Sequence, residues 1–345
     1  MIDTLEIKIN KTSASRLKET DFSNLPFGRT FSDHMFVADF EDGEWKNLEI
    51  KPYGDLAISP ATSALHYGQA IFEGIKAFKQ PNGKIALFRP LKNCERFNIS
   101  ADRMCMPIVP EELFMQAMHQ LIDLDRNWTP SNEGQSLYIR PFMYATDPVL
   151  GVHASDTYKF VIITGPVGVY YSKNLRVKIE THYARAVEGG VGYAKTAGNY
   201  GSSLYPTKHA QKEGFDQLIW TDAKEHAYIE ESGTTNVMFV INDTLITPST
   251  RDTILDGVTR HTIIDMAESW GMKVEERRVT VNEVIQAAKN GTLQEAFGAG
   301  TAATIAQIAE IGYEGEIYSL PDIPSRVFSN KAIKALNAIR YGLIP

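Results

Sequence analysis

Two runs of the sequence, SLYIRPFMYA at 136–145 and KFVIITGPV at 159–167, constrain the fold most. Both hold β-branched, aromatic and other apolar residues over strand-like lengths, and 36–40 and 84–88 read as further strands. EELFMQAMHQLIDLDRNW instead repeats its apolar residues at helical spacing. This mixture makes the first half an α+β domain. Later, DQLIWT, AYIEES and NVMFVIN predict strands, followed by a helix from about Thr259 and another after Thr280. Thr280-Val-Asn-Glu283 has the form of a capping box, and Asn290-Gly291 suits the far end of that last helix. A chain of 345 residues exceeds what one core usually serves. The segment GVYYSKNLRVKIETHY at 168–183 offers no helix and supplies the boundary. The expectation is an α+β / α/β two-domain chain: a smaller N-terminal domain at 1–172, a linker at 173–182 and a larger C-terminal domain at 183–345.

Composition removes several classes. Hydrophobic residues are 43% and aromatics 10%, which fits a folded globular chain rather than a disordered one. Lys plus Arg number 35 against 42 Asp plus Glu, with no basic block to track a polymer's phosphates, so nucleic acid is not an expected partner. The N-terminal stretch MIDTLEIKINKTSASRLKET lacks the apolar core of a secretory signal, and no apolar run is long enough to cross a bilayer. Cys94 and Cys105 form neither a disulfide framework nor a metal-ligand spacing, so a cytoplasmic location and no metal are expected.

GGVGYAKTAGNY at 189–200 sets one lysine, Lys195, among glycines, alanines and two tyrosines, with no acidic residue after Glu188. A lysine in such a loop is ordinarily solvated and idle. A chemical role needs an amine whose charged form is disfavoured, as in Schiff-base chemistry, and glycines let backbone approach a flat ligand. Pyridoxal phosphate is such a ligand, and four other segments offer the groups it requires. IEESGTTN carries Glu230 and Glu231 on a predicted strand whose alternation sends one toward the cofactor's ring nitrogen and the other toward solvent. ALFRPLKNCERFNISADRM supplies Arg89 and Arg96 for the phosphate. DGVTRHTIIDMAESW sets Val258-Thr259 at a helix start, where free N–H groups and the dipole favour an anion. FGAGTAATIAQI is read the same way at Gly300-Thr301-Ala302, so two helix-start anion sites are expected, for a phosphate and a carboxylate. FGAGTAA also matches the dinucleotide fingerprint G-x-G-x-x-A, but it follows LQEAF near the end of the chain, where too few residues remain for a nucleotide-binding sheet.

In this order, LHYGQAIFEGIKAF, LFRPLKNCERF, SLYIRPF, GPVGVYY, GGVGYAKTAGNYG, GTTN and FGAGTAA resemble the landmarks of the branched-chain amino acid aminotransferases. These are pyridoxal-phosphate enzymes of fold type IV, with a D-amino acid aminotransferase-like fold, and the likeness is to their longer subgroup, which includes the animal enzymes. It implies that Lys195 carries pyridoxal 5′-phosphate and moves the substrate proton, while Glu231 meets the ring nitrogen and Tyr200 the 3′ oxygen. Arg96, rather than Arg89, falls on the phosphate-binding arginine, with Thr234, Val258, Thr259, Gly300 and Thr301 in the same cofactor set. Phe27, Tyr67, Phe72, Tyr138 and Tyr170 match the aromatic wall of the substrate pocket, and Arg140 the partner of glutamate's distal carboxylate. Thr301 and Ala302 amides would hold the α-carboxylate, and Leu150 and Val152 match a loop that reaches the neighbouring subunit's site in a homodimer. The implied reaction is ping-pong amino transfer between L-leucine, L-isoleucine or L-valine and 2-oxoglutarate. A D-amino acid transaminase or an aminodeoxychorismate lyase would keep the lysine and glutamate, but SLYIRPF and GGVG-x-x-K argue against both. A vitamin-B6 storage protein would not need the proton-transfer and substrate groups.

Overall fold

The structure, a computed structural model, describes residues 5–168 and 174–344. It divides into two compact units, one made of Met1–Tyr170, Ala194–Ala197 and Ile339–Pro345, the other of Tyr171–Tyr193 and Gly198–Ala338.

The first unit is an eight-stranded sheet of β1 (Lys8–Ile9), β2 (His34–Glu41), β3 (Glu44–Pro52), β4 (Ala70–Phe72), β5 (Ile75–Lys79), β6 (Ile85–Leu87), β7 (Ser136–Ala145) and β8 (Tyr158–Val167). Its order is β1-β3-β2-β8-β7-β5-β6, with β4 also paired to β7. Asp42-Gly43, both at positive φ, turn β2 tightly into β3. Alternation along the strands decides what each face meets. Phe36, Ala38, Phe160 and Ile162 face α2 (Pro90–Arg103) and α3 (Glu111–Leu124), sharing one core with Phe97, Ala101, Phe114 and Leu121. Met35, Val37 and Val161 pack with Phe142 and Tyr144 in a separate cluster. The long helix read from periodicity ends at Leu124, and Arg126–Trp128 closes it as a 3-10 turn. A short α1 (Ser63–Tyr67) precedes β4.

The second unit has ten strands: β9 (Leu175–Ile179), β10 (Gln217–Thr221), β11 (Tyr228–Ser232), β12 (Thr235–Ile241), β13 (Thr244–Thr247), β14 (Lys273–Glu276), β15 (Val279–Thr280), β16 (Leu293–Gly300), β17 (Thr304–Tyr313) and β18 (Glu316–Ser319). Because β11 pairs with β12, six of them close into a ring, β12-β16-β17-β9-β10-β11. The segment read as offering no helix, and as a linker at 173–182, contributes β9, whose alternating Leu175, Val177 and Ile179 are buried. Around the ring stand α4 (Ala197–Ser202), α5 (Leu204–Lys212), α6 (Val258–Ser269), α7 (Val281–Lys289) and α8 (Phe328–Arg340). One half of the capping box is present: Thr280 Oγ1 accepts from Glu283 N at 3.0 Å, while the Glu283 carboxylate accepts from Arg277, and Asn290 with Gly291 ends α7.

Candidate active site

In the first unit several of the candidate residues gather around β4. The N–H of Lys195 donates to Ser100 Oγ at 2.9 Å, and its carbonyl accepts from Phe72 N at 3.1 Å. Thr196 bridges to Ile71 and donates its hydroxyl to the Ala70 carbonyl at 3.0 Å. These bonds fix a segment that its glycine-rich neighbours would otherwise leave mobile. Lys195 Nζ lies 4.8 Å from the centroid of the Phe72 ring, a cation–π contact.

Beside Phe72, Glu73 is wholly buried. Arg96 donates to it from Nε at 2.7 Å and from Nη2 at 2.9 Å, and Asn93 Nδ2 donates at 2.9 Å. Burial alone would raise this carboxyl, but the charge and hydrogen bonds of Arg96, with the charge of Lys195, hold it below its ordinary range. Arg96 is therefore one half of a buried ion pair as well as a phosphate candidate. Arg89 occupies the N-cap of α2 at φ +49°, outside the helix on which Arg96 sits.

On β7, Tyr138 and Arg140 alternate with buried Ile139 and share a face of the strand with Phe142. Arg140 Nη2 donates to Tyr138 Oη at 2.8 Å, and its guanidinium lies 4.6 Å from the Phe72 ring centroid. Phe27 meets Tyr138 edge-on at 4.8 Å. Thus Phe27, Phe72, Tyr138, Arg140 and Lys195 form one cluster. Tyr67, at the end of α1, is exposed and tilts against His66 instead. Leu150 and Val152 lie in the loop after β7, 68% and 87% exposed. Tyr170 lies outside the described residues.

The second unit builds around Glu231 on β11. Its Oε1 accepts from Leu255 N at 2.7 Å, and its Oε2 stands 3.4 Å from Arg185 Nε, with both side chains buried. Arg185 also donates through Nη2 to the carbonyls of Gly192 and Thr253. Nothing in HYARAVE marks this arginine, because its partners come from distant segments. Glu230 departs from expectation: it is buried, not solvated. The strand alternates, but the loop carrying Pro248, Arg251 and Thr253 covers its other face, where Glu230 borders a cavity of about 380 Å³. Burial raises its carboxyl to about 7, against the opposing pull of Thr253 and Arg185.

Val258 and Thr259 open α6, both buried. The N-cap, Gly257, provides no side-chain cap, and a Cβ there would strike Asn236 Oδ1, so the backbone N–H groups of the first turn are left for another acceptor. That arrangement, with a buried carboxylate at Glu231 and a hydroxyl at Thr259, fits pyridoxal phosphate. The second anticipated helix start is instead a hairpin: β16 ends at Gly300, β17 begins at Thr304, and these two residues pair antiparallel. The residues after FGAGTAA belong to a strand held between neighbours, so Thr301 and Ala302 lie in a turn, and the geometry also rules out a dinucleotide-binding strand–helix turn. Thr235 fills the space over Gly298 and Gly300, while Thr234 is exposed in the β11–β12 turn. Tyr200 is half-buried on α4, its carbonyl accepting from Ser203 Oγ at 2.8 Å. Among the described residues no group of His, Cys, Asp or Glu could hold a metal ion, and no helix is long and apolar enough to cross a membrane.

The amino-transferase class IV family matches residues 70–311. Branched-chain-amino-acid aminotransferase 2 of Bacillus subtilis (strain 168) is 44% identical over 342 residues, covering 98% of this chain and 94% of that protein. A probable branched-chain-amino-acid aminotransferase of Staphylococcus epidermidis is 47% identical, covering 90% and 87%. Among solved structures, the branched-chain aminotransferase of Thermoproteus uzoniensis with norvaline aligns with a TM-score of 0.73 at 26% identity, over 90% of this chain and 95% of that one. The chain belongs to the class IV aminotransferases and, within them, to the branched-chain-amino-acid aminotransferases. It is thus a transferase of fold type IV that works with pyridoxal phosphate.

Proposed function

We propose that this enzyme exchanges an amino group between L-leucine, L-isoleucine or L-valine and 2-oxoglutarate, giving branched 2-oxo acids and L-glutamate. The observation that carries this reading is the cluster of Lys195, Phe72, Tyr138 and Arg140, which sets an amine and a guanidinium against the same aromatic ring. When bound, pyridoxal phosphate supplies the electron sink for charge left at the substrate's Cα. Lys195 would hold the cofactor and, once released, its Nζ would carry the proton between the substrate's Cα and the cofactor's C4′ carbon. Glu231, steadied by Leu255 N–H, keeps the ring nitrogen protonated. Tyr200 serves the ring's 3′ oxygen. Arg96, the first-turn N–H groups of α6 at Val258 and Thr259, and Thr234, Gly300 and Thr301 serve the phosphate end and its surroundings.

Phe27, Tyr67, Phe72, Tyr138 and Tyr170 give the branched side chains an apolar wall. Arg140 at its edge accepts glutamate's distal carboxylate, and the Thr301 and Ala302 amides take the α-carboxylate. A cytoplasmic homodimer, with Leu150 and Val152 serving the neighbouring subunit, completes the reading.

The test is an absorption spectrum during titration with L-leucine, repeated for Lys195→Ala. The expected result is loss of the visible band, its recovery on adding 2-oxoglutarate, and no such cycle in the variant. A bound chromophore that leucine leaves unchanged sinks the substrate assignment.

A further inference from the structure

We propose that Glu73 is a positioning residue: its buried carboxylate fixes the guanidinium of Arg96 and sets a compensating negative charge beside Lys195. This rests on the reading of Lys195 and Arg96 as cofactor-holding residues.

In IFEGIKAF, alternation puts Glu73 in line with Ile71 and Ile75, both 1% exposed. A lone carboxylate among such neighbours is costly unless its oxygens are paired. Here Oε1 accepts from Arg96 Nε, and Oε2 accepts from Arg96 Nη2, Asn93 Nδ2 and the Gly74 N–H at 3.1 Å. A side chain at Gly74 would strike the Tyr138 hydroxyl, so the two-residue break between β4 and β5, both paired to β7, is confined to one path and Glu73 with it.

One helix links these groups. Asn93, Arg96 and Ser100 are three and four residues apart on α2, so they share a face. The first two hold Glu73, and the third receives the Lys195 N–H. Ser100 also donates to the Arg96 carbonyl at 3.0 Å. A two-point grip leaves the planar guanidinium little freedom to turn, which orients its remaining N–H groups. It also places one negative charge against two positive ones, Arg96 and Lys195. Removing the negative charge would leave buried Arg96 and half-buried Lys195 without their shared counter-charge, and positive charge on the lysine-linked nitrogen of the loaded enzyme would be less stable.

The test compares Glu73→Gln and Glu73→Asp with the wild type, each loaded with pyridoxal phosphate. Three quantities are read: the pH midpoint of the visible absorption band, the Kd for pyridoxal phosphate, and Tm. Glu73→Gln should move the midpoint down by about one pH unit and weaken cofactor binding by roughly tenfold or more. Glu73→Asp keeps the charge but cannot reach both nitrogens of Arg96, so its midpoint should stay near the wild-type value while cofactor binding weakens. If Glu73→Gln does not fold alone, Glu73→Gln combined with Arg96→Gln removes the orphaned cation, and its midpoint should return toward the wild-type value. A wild-type midpoint and Kd in Glu73→Gln would overturn the proposal, as would a Glu73→Asp midpoint displaced as far as that of Glu73→Gln, or a double variant whose midpoint differs from wild type by a full unit. Absence of any visible band in the loaded wild type would instead strike the underlying assignment of Lys195.

Discussion

Glu73 in the first unit and Glu230 in the second are both buried glutamates, yet their surroundings push them in opposite directions. Glu73 has a two-point arginine, an asparagine and a backbone N–H, and its carboxyl is held low. Glu230 has the Thr253 hydroxyl, while its Oε2 meets no hydrogen-bond donor of the protein, and its carboxyl rises to about 7. Glu73 is the more deeply buried of the two and still the lower, so nearby charge and hydrogen-bond donors, not burial, decide the outcome. Arg185 is near Glu230 too, but its bonds run to Gly192 and Thr253, and its Nε is turned to Glu231.

The sharpest way to break the contrast is to remove the strong partner. Arg96→Met leaves Glu73 buried without its cation and should cost about 3–5 kcal/mol in denaturant unfolding at neutral pH. A loss below 1 kcal/mol would mean that Asn93 and the backbone suffice. Next comes Glu230→Gln. Folded Glu230 keeps its proton to about 7, whereas the unfolded chain loses it near 4.5, so the native state binds more protons across that window and stability falls as pH rises through it. The variant should match wild type near pH 4 and exceed it by up to about 3 kcal/mol at pH 8. A difference independent of pH would show that Glu230 does not titrate there. Glu73 has the opposite sign: its contribution is present above the ordinary glutamate range and is lost on acidification through its lowered value. Thr253→Val takes a donor from Glu230 and should cost about 1 kcal/mol at pH 8, measured the same way. The smallest effect belongs to an exposed pair: Lys178→Ala removes the 2.6 Å bond to Glu213 and should change stability by about 0.5 kcal/mol or less.

Several of these elements are legible in the amino-acid sequence. SLYIRPFMYA reproduces β7 residue for residue, and the capping box at Thr280 is a local device whose partners lie within one turn. Glu73 carried a usable signal, a lone acid in register with Ile71 and Ile75 in an otherwise apolar run. Arg185 and the burial of Glu230 carried none, since both depend on the loop at 248–254 arriving from elsewhere in the chain. The hairpin at Gly300–Thr304 was misread because small residues before an apolar run serve a helix start and a tight strand reversal equally, and only the strands flanking β17 distinguish them. Lys195 was legible as a candidate through resemblance. Its setting beside β4 and α2 was not, because hydrogen bonds to Ala70 and Ser100 and from Phe72 leave no mark in sequence spacing.

The closed ring of strands also bears on when the protein can assemble. β11 meets β12 across a two-residue turn, but β17 lies beside β9 through pairs such as Ile308 with Leu175, more than a hundred residues upstream. A ribosome must therefore deliver nearly the whole second unit before its ring can shut, and the first unit waits longer still, since Ile339–Pro345 belong to it. Until release, the nascent chain presents the unpaired edges of β9 and β12, an interval in which chaperones and aggregation compete for it.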